Sequence, residues 1–323
     1  MQSRTVNPQK ENVKITETNL TSVVEFVLLG FSEIPRLHWF LFGTFSVIYL
    51  VILLGNGIII LIMRAESTLQ TPMYFFISNF SFLEIRYVSV TLPRMLVDLW
   101  TQKGSISILA CAAQMCFFLI LGATECFLLA VMAYDHYVAI CNPLHYPLVM
   151  SHEVCVRLGV GSWVIGMPVQ VGQTCQIFSL PFCESNQINH FFCDIPNAQF
   201  DETVVYMFAS LLITIPFMLI LGSCSRMIST VLKLPSSTGR TKAFSTCSSH
   251  LIVVILFYGS VTVIVLHNCK PKSNQYDGTD KLLSLFYTIL TPMLNPVICS
   301  LPNKDVSEAL RKFLPKLIAI PDT

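Results

Sequence analysis

The sequence predicts an all-α membrane protein: a seven-transmembrane helix bundle followed by a short amphipathic helix. Three observations predict it. Lys plus Arg number 20 and Asp plus Glu 19 in 323 residues, so charged residues make up 12%, about half the roughly 25% of an ordinary soluble domain. Apolar residues reach 53% and mean hydropathy is +0.64. Seven stretches reach the ~20 residues that cross a bilayer as a helix, and none shows the period-two alternation of barrel strands. The same figures exclude disorder, which needs low hydrophobicity. A net charge of +1 offers no electrostatic footprint for nucleic acid.

The elements follow in order. Residues 1–38 form a polar tail, expected to be extracellular, with no cleavable apolar core before the first span. Residues 39–302 hold the spans: Trp39–Met63, Met73–Leu96, Ser107–Tyr134, Leu158–Leu180, Val204–Cys224, Phe244–Leu266 and Leu282–Leu301. Pro93, Pro168, Pro216, Pro292 and Pro296 fall inside them, where each removes a backbone donor and can kink its helix. Residues 303–323 form a cytoplasmic amphipathic helix and tail. Asn303 can cap it, and Val306, Leu310, Phe313 and Leu317 share one face, as in a helix lying on the inner membrane surface. Pro315 limits its length. The loops are too short for an inserted domain.

Seven spans place the termini on opposite sides. With the N-terminus outside, the inner segments carry ten Lys or Arg and the outer segments nine, which does not decide orientation. Arg4 and Lys10 lie too far from a span to count heavily. Asn19-Leu20-Thr21 is a glycosylation sequon in the polar tail, and together these favour an outside N-terminus. A second sequon, Asn79-Phe80-Ser81, lies inside a span and is fortuitous.

Glu84 and Glu125 sit near mid-depth of their spans. Unpaired, an acid there costs about 2.5–3.5 kcal/mol on insertion scales, so both must face the bundle interior. Two readings stand: a buried site for a cation or proton, or a hydrogen-bonded structural pair. Arg86 is two residues from Glu84, on another helix face, so it either snorkels or reaches another span. The last span has no lysine for a retinal Schiff base. No metal-binding His/Cys spacing or glycine-rich phosphate loop points to an enzyme, and no cofactor is expected beyond a possible sodium ion. A sodium- or proton-coupled transporter using Glu84 and Glu125 is the rival from another class. The lack of any internal repeat argues against it.

Several strings together carry a family resemblance: EFVLLGFS (25–32), GN (55–56), TPMYFFISNFSFLE (71–84), MAYDHYVAICNPLHYP (132–147), KAFSTCSSHL (242–251) with LFYGS after it, and PMLNPVICSLPNKDVSEALRK (292–312). The chain resembles the odorant receptors of the rhodopsin-like G-protein-coupled receptor class. The resemblance implies a plasma-membrane receptor with an outside N-terminus, glycosylated at Asn19. It implies a small hydrophobic or volatile odorant as ligand, and a stimulatory G protein on the inside that raises cyclic AMP. Membrane lipid is the remaining partner. Glu84 and Glu125 fall where the family has a buried acidic pair, which looks like a sodium-type site. Cys111 and Cys193 match the family's bridge from the third span to the second outer loop. The partner that Cys183 would have in a second bridge is missing from NAQFDETVV (197–205), leaving Cys183 free or paired with Cys175 or Cys269.

The resemblance carries ligand positions onto Met115, Phe118, Leu119, Gly122, Ala123, Phe208, Leu212, Tyr258, Val261, Val265, Leu285 and Thr288. This mostly apolar set suits a small hydrophobic ligand, although ordinary helix packing would account for several of its members. Asp135, His136, Tyr137, Lys233, Arg240 and Lys242 are implied at the G-protein contact. For the basic residues, membrane orientation is the competing role.

The sequence departs from the family in one network. Asp-Arg-Tyr reads Asp135-His136-Tyr137, the fifth-span Ser-Tyr reads Ser223-Cys224, and the seventh-span motif ends in Cys299 where a tyrosine is usual. Pro302 also replaces a basic residue. Arginine offers five donors in a fixed fork and a permanent charge, whereas histidine is shorter and near neutral at pH 7. Either coupling is weakened, or the family tolerates the variation.

Overall fold

A computed structural model describes residues 25–28, 37–179, 187–188, 193, 202–233, 237–268, 285, 288–295, 298 and 306–312. The first helix, α1 (His38–Ala65), ends in a single turn of 3₁₀ helix at Ser67–Leu69 before α2 (Pro72–Thr101). Pro72 opens α2 at its first turn, where its missing N–H would have no intrahelical partner in any case. Then come α3 (Ile108–Cys141), whose cap Ser107 accepts from the Ala110 amide, and the single-turn helix α4 (Tyr146–Val149). The fourth span is two helices, α5 (His152–Ile165) and α6 (Met167–Phe178). It breaks at Gly166, with Pro168 in the first turn of α6. Helices α7 (Glu202–Lys233) and α8 (Ser237–Asn268) follow. Residues 288–295 form α9 and residues 306–312 form α10.

Four helical stretches among the described residues are long and apolar enough to cross a membrane: His38–Ala65, Ile108–Cys141, His152–Phe178 and Ser210–Lys233. Their outer faces carry exposed apolar side chains such as Phe40, Leu54, Leu109 and Leu219, which suits helices facing lipid. At one end of the bundle Trp39 stacks edge-on to Trp100 at 5.2 Å between ring centroids, with Phe42 beside both. Trp39 begins α1 and Trp100 ends α2, so both mark the same rim, where amphipathic rings collect in membrane proteins.

Helix α3 is the axis of the bundle and touches α2, α5, α6, α7 and α8. The main core runs along it through Leu121, Leu128, Leu129 and Met132, packed against Phe76, Phe80 and Leu83 of α2 and Ile220 and Met227 of α7. A second core joins Phe45 and Ile52 of α1 to Val88 and Leu92 of α2 and Ile289 of α9. In α10, Val306 and Ala309 are buried while Arg311 and Lys312 are exposed, the amphipathic division expected from the sequence. Phe313 and Leu317 lie outside the described residues.

The tail is less simple than its composition implies. Within 1–38, Glu25–Leu28 forms strand β1, which pairs antiparallel with β2 (Ser105–Ser107) and parallel with β3 (Gln187–Ile188). Phe26 and Leu28 point inward beside Ile106 and the Cys111–Cys193 disulfide. The Leu28 amide donates to the Gly104 carbonyl at 2.8 Å, and any Cβ on Gly104 would meet the Leu28 oxygen. Asn19 lies outside the described residues.

Candidate functional site

The two intramembrane acids meet. Glu84 on α2 is 1% exposed and Glu125 on α3 is 2% exposed. Between them stands Asn295 of α9, fully buried, whose Nδ2 donates to Glu84 Oε1 at 2.8 Å and to Glu125 Oε1 at 3.3 Å. One amide nitrogen thus joins three helices through two carboxylates. Glu84 Oε2 and Asn295 Oδ1 are buried with no hydrogen-bond partner among the described residues, as is Ser81 Oγ, one helical turn before Glu84. Two carboxylates out of water need more than one shared amide to balance them. The unpartnered oxygens fit a small hard cation, which takes oxygen ligands, or a proton on one carboxylate. Arg86 is not that balance. It is exposed, and its guanidinium lies over the Phe82 ring at 4.7 Å on the outer face of α2.

Asn56 completes the seam. Its Nδ2 donates to the Ile52 carbonyl at 2.9 Å and to the Pro292 carbonyl at 3.3 Å, tying α1 to α9 next to Asn295. Pro292 has no N–H, but its carbonyl is still an acceptor.

Several members of the expected ligand set fall in one or other of the two cores. Phe118 packs against both cores and stacks on Tyr87 at 5.0 Å. Leu285 packs on the second core, while Val261 and buried Tyr258 belong with the first. Tyr258 also stacks on Phe217 of α7 at 4.8 Å. Thr288 Oγ1 is buried without a hydrogen-bond partner among the described residues, whereas the Tyr258 hydroxyl neighbours the buried Cys126 thiol. Met115 is buried and Leu119, Gly122 and Leu212 are half-buried. Ala123 instead faces the fourth span, where a Cβ on Gly166 would come within 2.7 Å of its own Cβ. The side chains of Phe208 and Val265 lie outside the described residues.

Cys111 and Cys193 form the disulfide, with Cα atoms 5.4 Å apart. A residue the sequence reading missed reinforces it. Gln114, one turn along α3, accepts from the Cys193 amide at 3.3 Å and donates to the Val90 carbonyl at 3.0 Å. Only its polarity in an apolar run marked it out. Cys175 is a free, exposed thiol; Cys183 and Cys269 lie outside the described residues.

Residues 45–316 match the family described as olfactory receptor. Olfactory receptor 10AG1 of Homo sapiens is 60% identical over 303 residues, covering 91% of this chain and all of that protein. Olfactory receptors 10A7 and 10C1, also of Homo sapiens, are each 48% identical, over 92% and 93% of this chain and 95% and 98% of their own lengths. The chain belongs to the olfactory receptor family. It is therefore an odorant-sensing G-protein-coupled receptor of the plasma membrane, a multi-pass bundle of seven helices rather than an enzyme.

At the C-terminal end of α3, this olfactory receptor buries most of its motif residues. Asp135 is 1% and His136 7% exposed, and Tyr137 is half-buried. The Tyr146 hydroxyl of α4 donates to Asp135 Oδ1 at 2.9 Å. Burial and the adjacent Asp135 carboxylate push the Tyr146 phenol well above the ordinary tyrosine range. Among the described residues His136 makes no ion pair. Its ring meets His250 of α8 edge to face, with centroids 5.4 Å apart, and His250 Nε2 lies 3.2 Å from the Leu129 carbonyl. Lys233, the last residue of α7, and Arg240, in the first turn of α8, are exposed, and the side chain of Lys242 lies outside the described residues, as do Cys299 and Pro302.

Proposed function

We propose that this receptor binds a small hydrophobic or volatile odorant between α3, α7, α8 and α9, and that it signals through a stimulatory G protein to raise cyclic AMP, with its N-terminus outside. The observation that supports the ligand reading is a set of apolar side chains from α3, α7 and α8 in the main core, with one buried hydroxyl, Thr288 Oγ1 of α9, that has no hydrogen-bond partner among the described residues. Few polar groups in an apolar lining is how small-ligand sites fix orientation. A ligand with one hydrogen-bonding group on an apolar body answers both features. Glu84, Glu125 and Asn295 serve as a sodium or proton site beneath it, where bound charge supports one arrangement of α2, α3 and α9.

A second reading, favoured by the buried His136–His250 contact, is that the receptor binds ligand but couples weakly. Two imidazoles in contact replace an arginine that would carry a permanent charge. A cyclic AMP reporter decides between them, comparing the chain with His136→Arg, Cys224→Tyr and Cys299→Tyr at matched surface expression. Weak coupling predicts low constitutive and odorant-evoked signals in the unaltered chain that rise in the variants. Equal responses to one agonist would sink it.

A further inference from the structure

Arg86 faces away from the bundle at mid-depth. It stands half-way along the 30 residues of α2, and its side chain is exposed. At 1.5 Å per residue it lies about 21 Å along the helix from Trp100, whose ring marks the aromatic rim beside Trp39. The hydrocarbon core of a bilayer is about 30 Å thick, so Arg86 sits near its middle, where charged side chains almost always face the protein interior. Nor does the side chain reach for the surface beside Trp100. Its guanidinium folds back one turn onto Phe82, 4.7 Å from the ring centroid, and Phe82 in turn packs against Trp163 of α5 at 5.9 Å. Among the described residues Arg86 has no carboxylate partner. Ser89, on the next turn of α2, is already engaged by the Tyr49 hydroxyl at 3.2 Å.

The depth of this charge selects its partner. An aromatic face attracts a cation through its quadrupole but carries no opposite charge, so Phe82 holds the guanidinium without neutralising it. What completes the pair must bring an acid to the same depth. A phospholipid cannot do so without drawing its headgroup out of water, which is costly for any charge. A second copy of this chain has none to offer. The acids in its spans, Glu84 and Glu125, are both buried, and two Arg86 side chains brought face to face repel. A transmembrane helix of another protein meets the requirement. An Asp or Glu at mid-span is fixed there by its own backbone and is as costly unpaired as Arg86, so pairing relieves both charges at once. The adjoining surface admits a helix. Phe82 is 41% exposed, and Val160 and Val164 of α5, one turn apart, are 57% and 52% exposed, apolar side chains of the kind on which helices pack in lipid.

We propose that Arg86, Phe82 and Trp163 form a lateral docking surface on the α2–α5 face for a transmembrane helix of a partner protein that carries one Asp or Glu at the middle of its span. The claim concerns association in the membrane and stands apart from the ligand and signalling readings. The test places the donor-labelled full-length receptor in phosphatidylcholine vesicles with an acceptor-labelled peptide of about 20 Leu and Ala residues, enough to span, with a single central Glu. Energy transfer should exceed the level of random mixing and saturate with peptide. A central Gln, which keeps the shape and not the charge, should weaken association at least about tenfold, as should a Glu moved two turns toward the peptide's end. This series uses the unaltered receptor, so it does not depend on a variant that folds. Arg86→Leu should bind the Glu and Gln peptides alike, and Arg86→Lys, which keeps the charge, should retain much of the preference for Glu. Equal transfer to the Glu and Gln peptides, or an undiminished preference for Glu in Arg86→Leu, overturns the proposal. Loss of the transfer when oleate is added to the vesicles would assign the face to a lipid carboxylate and overturn it as well.

Discussion

Replacing Asn295 with alanine removes the one donor that Glu84 and Glu125 share. Both acceptors are carboxylates almost wholly out of water. A hydrogen bond to a charged group contributes about 1.5–3 kcal/mol and one between neutral groups about 0.5–1.5 kcal/mol, and a buried carboxyl oxygen stripped of its donor also loses that compensation for desolvation. The 3.3 Å bond to Glu125 is the weaker of the two, so a net loss of about 3 kcal/mol is expected. At about 2 °C per kcal/mol for a chain of this size, the thermal midpoint of the purified receptor should fall by about 6 °C. The carboxylates themselves must be the cause. In a Glu84→Gln, Glu125→Gln background, Asn295→Ala should therefore cost less than about 1 kcal/mol, the range of a neutral hydrogen bond. Glu84→Gln alone should recover more of the loss than Glu125→Gln alone. Tryptophan fluorescence read against temperature measures all of these. A midpoint unmoved by Asn295→Ala, or an equal loss in the double-glutamine background, would refute the reasoning.

Other outcomes follow from single contacts. Tyr146→Phe removes the 2.9 Å bond to Asp135 and should lower stability by about 1.5–3 kcal/mol, read as the thermal midpoint. Because Tyr146 holds its proton more tightly when folded, the unaltered receptor should lose stability as pH rises above about 10, the unperturbed tyrosine value. Tyr146→Phe should flatten that decline. Gln114→Leu strips the Cys193 amide of its acceptor, so hydrogen exchange at that amide should speed up while the disulfide stays intact by mass. Gly166→Ala places a Cβ 2.7 Å from that of Ala123 and should cost about 1–3 kcal/mol through overpacking, with Gly161→Ala, whose Cβ meets nothing within 4 Å, close to neutral.

How much of this was legible in the sequence depends on the range of the interaction. Apolar length located the spans because bilayer thickness imposes it locally. It could not show that α7 runs on to Lys233 or that α2 continues to Thr101, since a helix does not end where hydrophobicity does. Pro168 announced a disturbance in the fourth span, and the chain breaks there, at Gly166. Burial of Glu84 and Glu125 followed from the cost of charge in lipid. Their common partner did not, because Asn295 is 211 residues from Glu84 and nothing local ties them. Strand β1 was hidden for the opposite reason. Phe26 and Leu28 alternate as a strand should, but four residues in a polar tail gain meaning only when β2 and β3 pair with them.

The departures from the family pattern acquire a physical sense at the inner end of α3. An arginine at position 136 could not sit where His136 does without a partner, since a buried permanent charge is costly. The nearest carboxylate in sequence, Asp135, holds Tyr146 through Oδ1, so an arginine would have to share that carboxylate with Tyr146. A histidine needs no such partner. It can remain neutral and meet the buried His250 ring at 5.4 Å while His250 itself engages the Leu129 carbonyl. Cys224 acts in the same direction, filling buried space beside Met227 and Cys247 where a tyrosine would bring a hydroxyl that must be satisfied. Both substitutions exchange groups that require polar partners for groups that do not. The closed inner end is thereby relieved of unmet demands, and any rearrangement that opens it has less to gain. Hence His136→Arg and Cys224→Tyr together should lower the thermal midpoint of the receptor while raising its constitutive cyclic AMP signal. A pair of variants that stabilised the protein and also increased signalling would show that the closed end is not what these residues govern.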